Sequence, residues 1–406
     1  MRIAIMSDFH IGFGDKERTA ESHANAKSAI NLAIENKADL IILAGDIFDE
    51  AIPSQECLFQ ALKLFSIARK SNAETTAKIV SGKRKDSIFH FKGIPIAAIF
   101  GTHEYRGQEQ ANVLDILQEA GSLLKLHGES AVFEKEGEKI CIYGMGGVPE
   151  KKALDVLQVM NPQPLPDSFN IFFMHQSIKE FLPFEDDMVA TIALSDFPKG
   201  FDLIVNGHLH WHKIDKINDS IFIMPGSTIT TQMKKIESEA GKGIFLLDTK
   251  TKNAEFLQLP NQRKFFYKTI MLKDSMPEDA KELVKKEISG ILVSEFKLKP
   301  LIKIKIKGAL AKGISSSDLD FSPIEDEFSE KAFVSISKDF EVSEFKKKIA
   351  ELRNEQQKKQ SIKELAMSIF EKNLNESHFN NEFDYEKMLA LLSEDKNEEA
   401  LEMLAK

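Results

Sequence analysis

The chain has 406 residues, 42% of them hydrophobic and 29% charged, with a formal net charge of −9. That length carries two or three domains with a sizeable core, and the composition is that of an ordinary globular protein. The acidic balance argues against a protein that coats nucleic acid generally, although a nuclease with a locally basic surface stays open.

The first two thirds alternate apolar strands with helical segments. Ile3–Met6 and Leu40–Ala44 read as strands, separated by a helix from about Ala20 to Glu35. A second helix is expected from Pro53, a good first-turn residue, to about Lys70. Asn72–Lys92 is polar, with Lys83, Arg84 and Lys85 in a row. It reads as an exposed insertion, either a solvated loop or a contact to a DNA backbone. Ile94–Phe100 is the next strand and the longest apolar run, far too short to span a bilayer. A helix over Gln108–Ala120 stops at Gly121. Strands follow at Lys139–Tyr143, Ile171–Met174, Leu203–Val205, Ile221–Met224 and Gly243–Leu247. This alternation predicts a layered α/β architecture. Cys57 and Cys141 form no CxxC pair, so they read as small buried hydrophobes.

After Leu259-Pro260 the pattern changes. Strands at Phe265–Leu272, Leu301–Lys307 and Ala332–Ser337, with a helix at Pro277–Ser289, predict a small α+β domain over 263–340. In Leu301–Lys307 apolar and basic residues alternate, giving one buried face and one cationic face. Lys303, Lys305 and Lys307 then face nucleic acid or protect a sheet edge. Residues 341–406 are highly charged, with short amphipathic helical patterns at Ile362, Leu365, Ile369 and at Tyr385, Met388, Leu392. They read as a partner-docking element or as a terminal bundle on the protein's own surface.

The strongest signal is where polar residues fall. Five apolar strands each run into a potential ligand motif: Asp8-Phe9-His10, Gly45-Asp46, Gly101-Thr102-His103-Glu104, His175, and Asn206-Gly207-His208-Leu209-His210. In layered α/β folds such strand ends converge on a crevice. Residues i and i+2 of an extended segment point the same way, so Asp8 with His10, and His208 with His210, are expected to grip an ion together. Gly45, Gly101 and Gly207 are expected to let the backbone turn beside each ligand. Mixed imidazole and carboxylate donors suit Mn²⁺, Fe²⁺ or Zn²⁺ better than Ca²⁺, and Asp46 is placed to bridge two ions. His212 extends the histidine run but is not expected to ligate; His23, His90, His127 and His378 have no comparable context.

The run D-x-H, G-D, G-x-H-[D/E], H, G-H-x-H resembles the calcineurin-like metallophosphoesterases. Asp39–Phe48, Phe172–Ser177, Asn206–His210 and Met224–Ser227 resemble, more closely, the SbcD-type nuclease subunit of the double-strand-break repair complex, called meiotic recombination eleven in archaea and eukaryotes. The composition looks archaeal. The resemblance covers about 1–260. It implies a four-layer metallophosphoesterase β-sandwich core flanked by helices over 1–262, a DNA-capping domain over 263–340 and a helical tail over 341–406 that docks on an SMC-type coiled-coil ATPase. Two Mn²⁺ ions are implied. Asp8, His10 and His210 would hold the first and His175 and His208 the second, with Asp46 between them. Thr102 stands where the family has an asparagine ligand. His103 would stabilise the phosphorus at its crowded stage and help protonate the leaving oxygen. Asp49 and Glu104 are expected near this shell without a defined role.

The implied activity is Mn²⁺-dependent 3′→5′ exonuclease and single-strand or hairpin endonuclease cleavage of DNA. A homodimer is implied too, for which Leu58, Leu62, Phe65, Leu114 and Leu117 are contacts or simply core. With no signal-peptide pattern at the start, the expected place is the cytoplasm, with the nucleoid. Other readings are a cyclic-nucleotide phosphodiesterase, a nucleotidase, a phosphoprotein phosphatase or a weakened DNA-end scaffold. Against a phosphatase, Gly45-Asp46-Ile47-Phe48-Asp49 continues Glu50-Ala51 and lacks the G-D-x-x-D-R-G pattern.

Overall fold

The computed structural model describes residues 1–70, 74–107, 110–182, 191–311 and 314–340. In chain order these form β1 (Arg2–Met6), α1 (Lys16–Glu35), β2 (Leu40–Ala44), α2 (Gln55–Ala68), β3 (Glu74–Ser81), β4 (Ile88–Lys92), β5 (Ile96–Ile99) and α3 (Val113–Glu119). Next come β6 (Leu124–Lys125), β7 (Glu129–Lys135), β8 (Glu138–Met145), α4 (Glu150–Met160), β9 (Phe169–Met174), β10 (Leu203–Asn206), β11 (Lys213–Ile217), β12 (Ser220–Met224), α5 (Lys235–Glu239), β13 (Gly243–Asp248) and β14 (Asn253–Gln258). The last are β15 (Phe265–Ser275), α6 (Pro277–Ile291), β16 (Leu301–Leu310), α7 (Ser322–Phe328) and β17 (Phe333–Phe340). The tail expected over 341–406 lies outside the described residues.

Two sheets carry the first part, ordered β14-β13-β1-β2-β5-β6 and β11-β12-β10-β9-β8-β7-β3-β4. β1, β2, β5 and β6 run parallel. So do β8, β9, β10 and β12 in the other sheet. Side chains alternate across a strand. Ile3, Ile5, Leu40 and Ile42 therefore enter one core with Ile140, Ile142, Ile171 and Phe173. Ala4, Met6, Ile41 and Leu43 take the opposite face, against Ala26, Ile30 and Ala33 of α1 and Phe65 of α2. The outer face of the second sheet packs Phe172, Met174 and Phe222 against Ala153 and Leu157 of α4. The layers are helix, sheet, sheet, helix, as the resemblance implied. Burial on both faces explains why these strands read as continuous apolar runs.

Caps set the helix starts. Asp15 accepts from Arg18 N at 2.9 Å, so α1 begins at Lys16, earlier than expected. Ser54 caps α2 through Cys57 N at 3.2 Å, which puts Pro53 before the cap rather than in the first turn. The Asn112–Asp115 capping box starts α3 at Val113, and Gly121 (φ +66°) ends it as expected. Phe65, Leu114 and Leu117 are fully buried and belong to the core, which removes them as dimer contacts; Leu58 and Leu62 are half-buried. Cys141 is buried and Cys57 half-buried, both as free thiols.

The stretch expected as a loop over 72–92 is instead largely a hairpin. β3 and β4 pair antiparallel, and β3 joins the eight-stranded sheet through β7. The outer strand β4 alternates half-buried and exposed residues, which hid the hairpin. Arg84, in the turn, donates from Nε to Glu129 Oε2 at 2.8 Å, from Nη1 to Gln118 Oε1 at 2.7 Å and from Nη2 to Lys125 O at 2.6 Å.

The chain divides into two compact units. One comprises Met1–Lys268, Lys286–Ile304 and Ser322–Ile336. The other comprises Thr269–Lys285, Lys305–Phe321 and the described residues from Ser337 on. The third sheet is ordered β15-β16-β17. β16 is therefore a central strand, which corrects the expectation of a lysine-protected edge. Its lysines alternate with buried isoleucines as expected. Lys303 Nζ donates to Ser335 Oγ at 2.9 Å, and Lys305 pairs with Asp339 at 2.9 Å. Among the described residues no helix is long and apolar enough to cross a membrane.

Candidate metal centre

The donors gather at the C-terminal ends of β1, β2, β5, β9 and β10. Asp8, His10 and His210 bring one ligand atom each within 4.8 Å of one another, and so do Asp46, His175 and His208. Backbone bonds tie the strand ends: Asp8 N donates to Gly45 O at 3.0 Å and His10 N to Asp46 O at 3.0 Å. Across the groups, His208 N donates to Asp8 Oδ2 at 3.3 Å and His103 N to Asp46 Oδ1 at 2.9 Å.

The backbone does not present these side chains as an extended strand would. Asp8 (φ +53°), His10 (+46°), Asp46 (+48°) and His208 (+72°) all sit in the left-handed region. Non-glycine residues rarely adopt it, and such strain clusters at functional sites. The expected i, i+2 geometry is thus replaced by a kink at Asp8, His10 and His208, and Asp46 is kinked as well. Of the three glycines, Gly45 (φ +92°) makes the expected turn. Gly101 and Gly207 serve close approach instead, because a Cβ there would overlap the Asp46 side chain and Ala44 O respectively.

Three of the four converging imidazoles have Nδ1 occupied. His10 Nδ1 donates to Asp49 Oδ1 at 3.0 Å and His175 Nδ1 to Ala44 O at 2.7 Å. Carboxylate and carbonyl oxygens only accept, so both nitrogens carry the proton. His210 Nδ1 pairs with Thr231 Oγ1 at 2.7 Å. This leaves Nε2 facing inward: His10 and His210 Nε2 are 3.3 Å apart, and Asp8 Oδ1 lies 3.8 Å and 3.5 Å from them. His175 Nε2 lies 3.1 Å from Asp46 Oδ2.

Both Asp8 Oδ1 and His175 Nε2 are buried without a hydrogen-bond partner, the kind of atom a cation satisfies. Nitrogen and oxygen donors in this mixture fit a borderline divalent ion.

Electrostatics agree. Burial opposes charge on His175, but the Asp46 and Asp8 carboxylates override it and raise it to about 10. Burial likewise opposes charge on Asp46, yet His175 and His10 hold it far below the usual carboxylate range. Burial and neighbouring His175 lower His208 to about 4, leaving it neutral.

Thr102 Oγ1 donates to Asp46 Oδ2 at 3.4 Å, on the His175 side of the cluster. His103 is half-exposed. Its Nδ1 donates to Asp49 O at 2.7 Å, which frees Nε2, and its ring stands edge-on to His10 at 4.8 Å between centroids. Asp49 thus orients both His10 and His103. Glu104 is fully buried and accepts from Phe48 N and Gly101 N, each at 2.8 Å, stapling two ligand-bearing loops together. Burial, reinforced by Asp46, raises its carboxyl to about 8.

His212 turns away, stacking on Phe256 at 3.7 Å between centroids. Arg84 is committed to Glu129, which leaves exposed Lys83 and Lys85 of the basic run. Thr231, Glu237 and Lys242 surround His210 and were not legible in the sequence, because no spacing rule links them to it.

The chain is similar to double-strand break repair protein MRE11 of Mus musculus, at 25% identity over 306 residues, 67% of this chain and 43% of the mouse protein. It is 25% identical to the Encephalitozoon cuniculi protein of that name over 316 residues (72% and 53%) and 26% identical to Caenorhabditis elegans mre-11 over 368 residues (77% and 48%). The chain spans about half the length of these relatives.

Among solved structures, an archaeal phosphodiesterase aligns with a TM-score of 0.32 at 15% identity, covering 64% of this chain and all of that one. A putative 5'-nucleotidase from Staphylococcus aureus aligns with a TM-score of 0.37 at 14% identity, covering 63% and 52%. Scores at that level carry no argument about function. Residues 1–212, the span that contains every converging donor, match the model of the calcineurin-like phosphoesterases, and the chain belongs to that family.

Proposed function

We propose that the protein is a DNA nuclease of the MRE11 type, cleaving phosphodiester bonds at a pair of Mn²⁺ ions. The observation that carries this is the convergence of four imidazoles and two carboxylates, with Asp8 Oδ1 and His175 Nε2 buried without a partner. DNA as substrate rests on the similarity to relatives named for double-strand break repair.

Asp8, His10 and His210 would hold one cation and His175 and His208 the other, with Asp46 serving both and Thr102 beside the second. When bound, the pair supplies Lewis-acid activation of water and neutralises charge on the phosphate. The chain's own part is orientation. Asp49 and Ala44 O fix the tautomers of His10 and His175. His103 presents Nε2 toward the reacting phosphate; with a proton on both ring nitrogens it passes the Nε2 proton to the departing 3′-oxygen and becomes the neutral imidazole that keeps its Nδ1 proton on Asp49 O. Lys83 and Lys85 meet the DNA backbone, residues 263–340 cap the duplex, and 341–406 bind an SMC-type coiled-coil ATPase. The protein works inside the cell, with the nucleoid, as a homodimer.

The test sets 3′-recessed duplex, hairpin and single-stranded DNA beside cyclic nucleotides and bis-p-nitrophenyl phosphate, with Mn²⁺. DNA cleavage lost in His103→Ala is the expected result. Turnover of the small esters alone would move the protein to another branch of the family. Thr102, a shorter neutral donor than an asparagine amide, favours a second reading as a weakened DNA-end scaffold, which DNA binding with no cleavage under any divalent ion would establish.

A further inference from the structure

Behind His210, on the side away from the converging donors, lies a fully enclosed ion pair. Lys242 Nζ, just before β13, donates to His210 O, Ser227 Oγ and Glu237 Oε1, each at 2.8 Å. All three donors of the ammonium are used. Glu237, on α5, is 3% exposed, and its other oxygen accepts from Gln232 N at 3.2 Å. Glu237 Oε1 also lies 3.8 Å from His210 Nδ1. Lysine and glutamate are almost never fully buried unless paired, and apolar packing of the same volume usually holds a loop as well or better. A cation placed behind a site that collects dications is a further cost. Its satisfied geometry around one imidazole therefore calls for a reason beyond packing.

We propose that the Lys242–Glu237 pair positions His210 for its cation. Lys242 anchors the His210 carbonyl and, through Ser227, the neighbouring loop. Glu237 sets a negative charge beside Nδ1. That favours the tautomer with the proton on Nδ1, next to Thr231 Oγ1, and leaves Nε2 bare toward Asp8 and His10. Lys242 in turn keeps Glu237 from collapsing onto the imidazole. Metal-bound histidines depend on such outer partners, whose loss commonly weakens metal binding 10- to 100-fold. The inference rests on the two-cation reading of the site.

The experiment counts Mn²⁺ bound to the full chain by the electron-spin-resonance signal of the free ion, and measures each affinity by calorimetry. The native chain is expected to bind two ions. Lys242→Met is expected to weaken one of them roughly 10-fold or more, the same ion that His210→Ala loses, and to leave the other unchanged. Lys242→Arg restores it in part. Should Lys242→Met not fold, Glu237→Gln decides, since it keeps an acceptor for Lys242 and removes only the charge. Native affinity for both ions in a folded variant overturns the inference, as does equal weakening of both, which marks a merely structural pair. A native chain that binds no Mn²⁺ overturns the two-cation reading itself, and this inference with it.

Discussion

His10 reaches the site through a carboxylate. Its Nδ1 proton goes to Asp49 Oδ1 at 3.0 Å, and the backbone carbonyl of Asp49 takes the Nδ1 proton of His103. One residue therefore aims a ligand with its side chain and the acid–base histidine with its main chain. Asp49→Ala frees the His10 ring but keeps the carbonyl. Mn²⁺ affinity is expected to fall roughly 10- to 100-fold, while His103 stays in place; calorimetry on the variant checks this, and native affinity would refute it.

His175 supplies a pH test. With its metal-free value raised to about 10, it carries a second proton at neutral pH, and that proton must leave before Nε2 can bind a cation. Apparent affinity is therefore expected to rise with pH toward 10, with proton release seen as a buffer-dependent heat. The stability of the metal-free fold is expected to follow the opposite trend. A histidine whose folded value lies above its unfolded value near 6.5 stabilises fully below 6.5, and that contribution is lost as pH rises through about 10. Melting of the chelated protein at a series of pH values reads this loss; a flat profile from 6.5 to 10 counts against it. The identities of these donors were legible, because each follows an apolar run. The left-handed backbone of Asp8, His10, Asp46 and His208 was not, because aspartate and histidine carry no mark of it in the sequence.

At the scale of elements, the loops after β2 and β5 are joined by Glu104. Its two oxygens accept from Phe48 N and Gly101 N, and its carbonyl accepts from Asn112 Nδ2, the residue that caps α3. Asp46, Thr102 and His103 all hang from these loops. Glu104→Ala would leave two buried N–H groups unpaired. An unpaired buried donor costs about 1–3 kcal/mol, so a loss of roughly 2–6 kcal/mol in urea unfolding is expected for the two, with weaker metal binding. Glu104→Gln, which keeps one acceptor, is expected to lose less; an alanine variant as stable as the native chain would exclude the staple.

The same elements show what local pattern can and cannot reveal. β1, β2, β9 and β10 were readable because both faces are buried and the runs are apolar throughout. The β3–β4 hairpin was not, since its outer strand, β4, is only half-buried on one face and its turn holds three basic residues. β16 was read correctly as a strand, but its central place depends on β17, paired from more than twenty positions downstream. Strand order is set by such distant pairing and leaves no local trace.

At the scale of the whole molecule, two sheets divide the labour. The six-stranded sheet supplies Asp8, His10, Asp46, Thr102 and His103; the eight-stranded sheet supplies His175, His208 and His210. Neither sheet holds a complete donor set, and the shared apolar core between them keeps the two halves in register. All of these donors, and the partners that orient them, lie between residues 8 and 242, inside the first compact unit. Among the described residues, the hydrogen bonds that orient the donors are made within residues 8–242. A chain ending at residue 340 is expected to keep Mn²⁺ binding and bis-p-nitrophenyl phosphate hydrolysis within about twofold of the full chain, because the donors and the side chains that orient them are all supplied by residues 8–242 and distant, independent changes have small effects on a site. If 341–406 is the docking element for a coiled-coil ATPase, the same deletion abolishes association in a pull-down with that partner. The two readouts separate the claims. Lost hydrolysis would show that the tail completes the site, whereas retained association would assign docking to another surface of the protein.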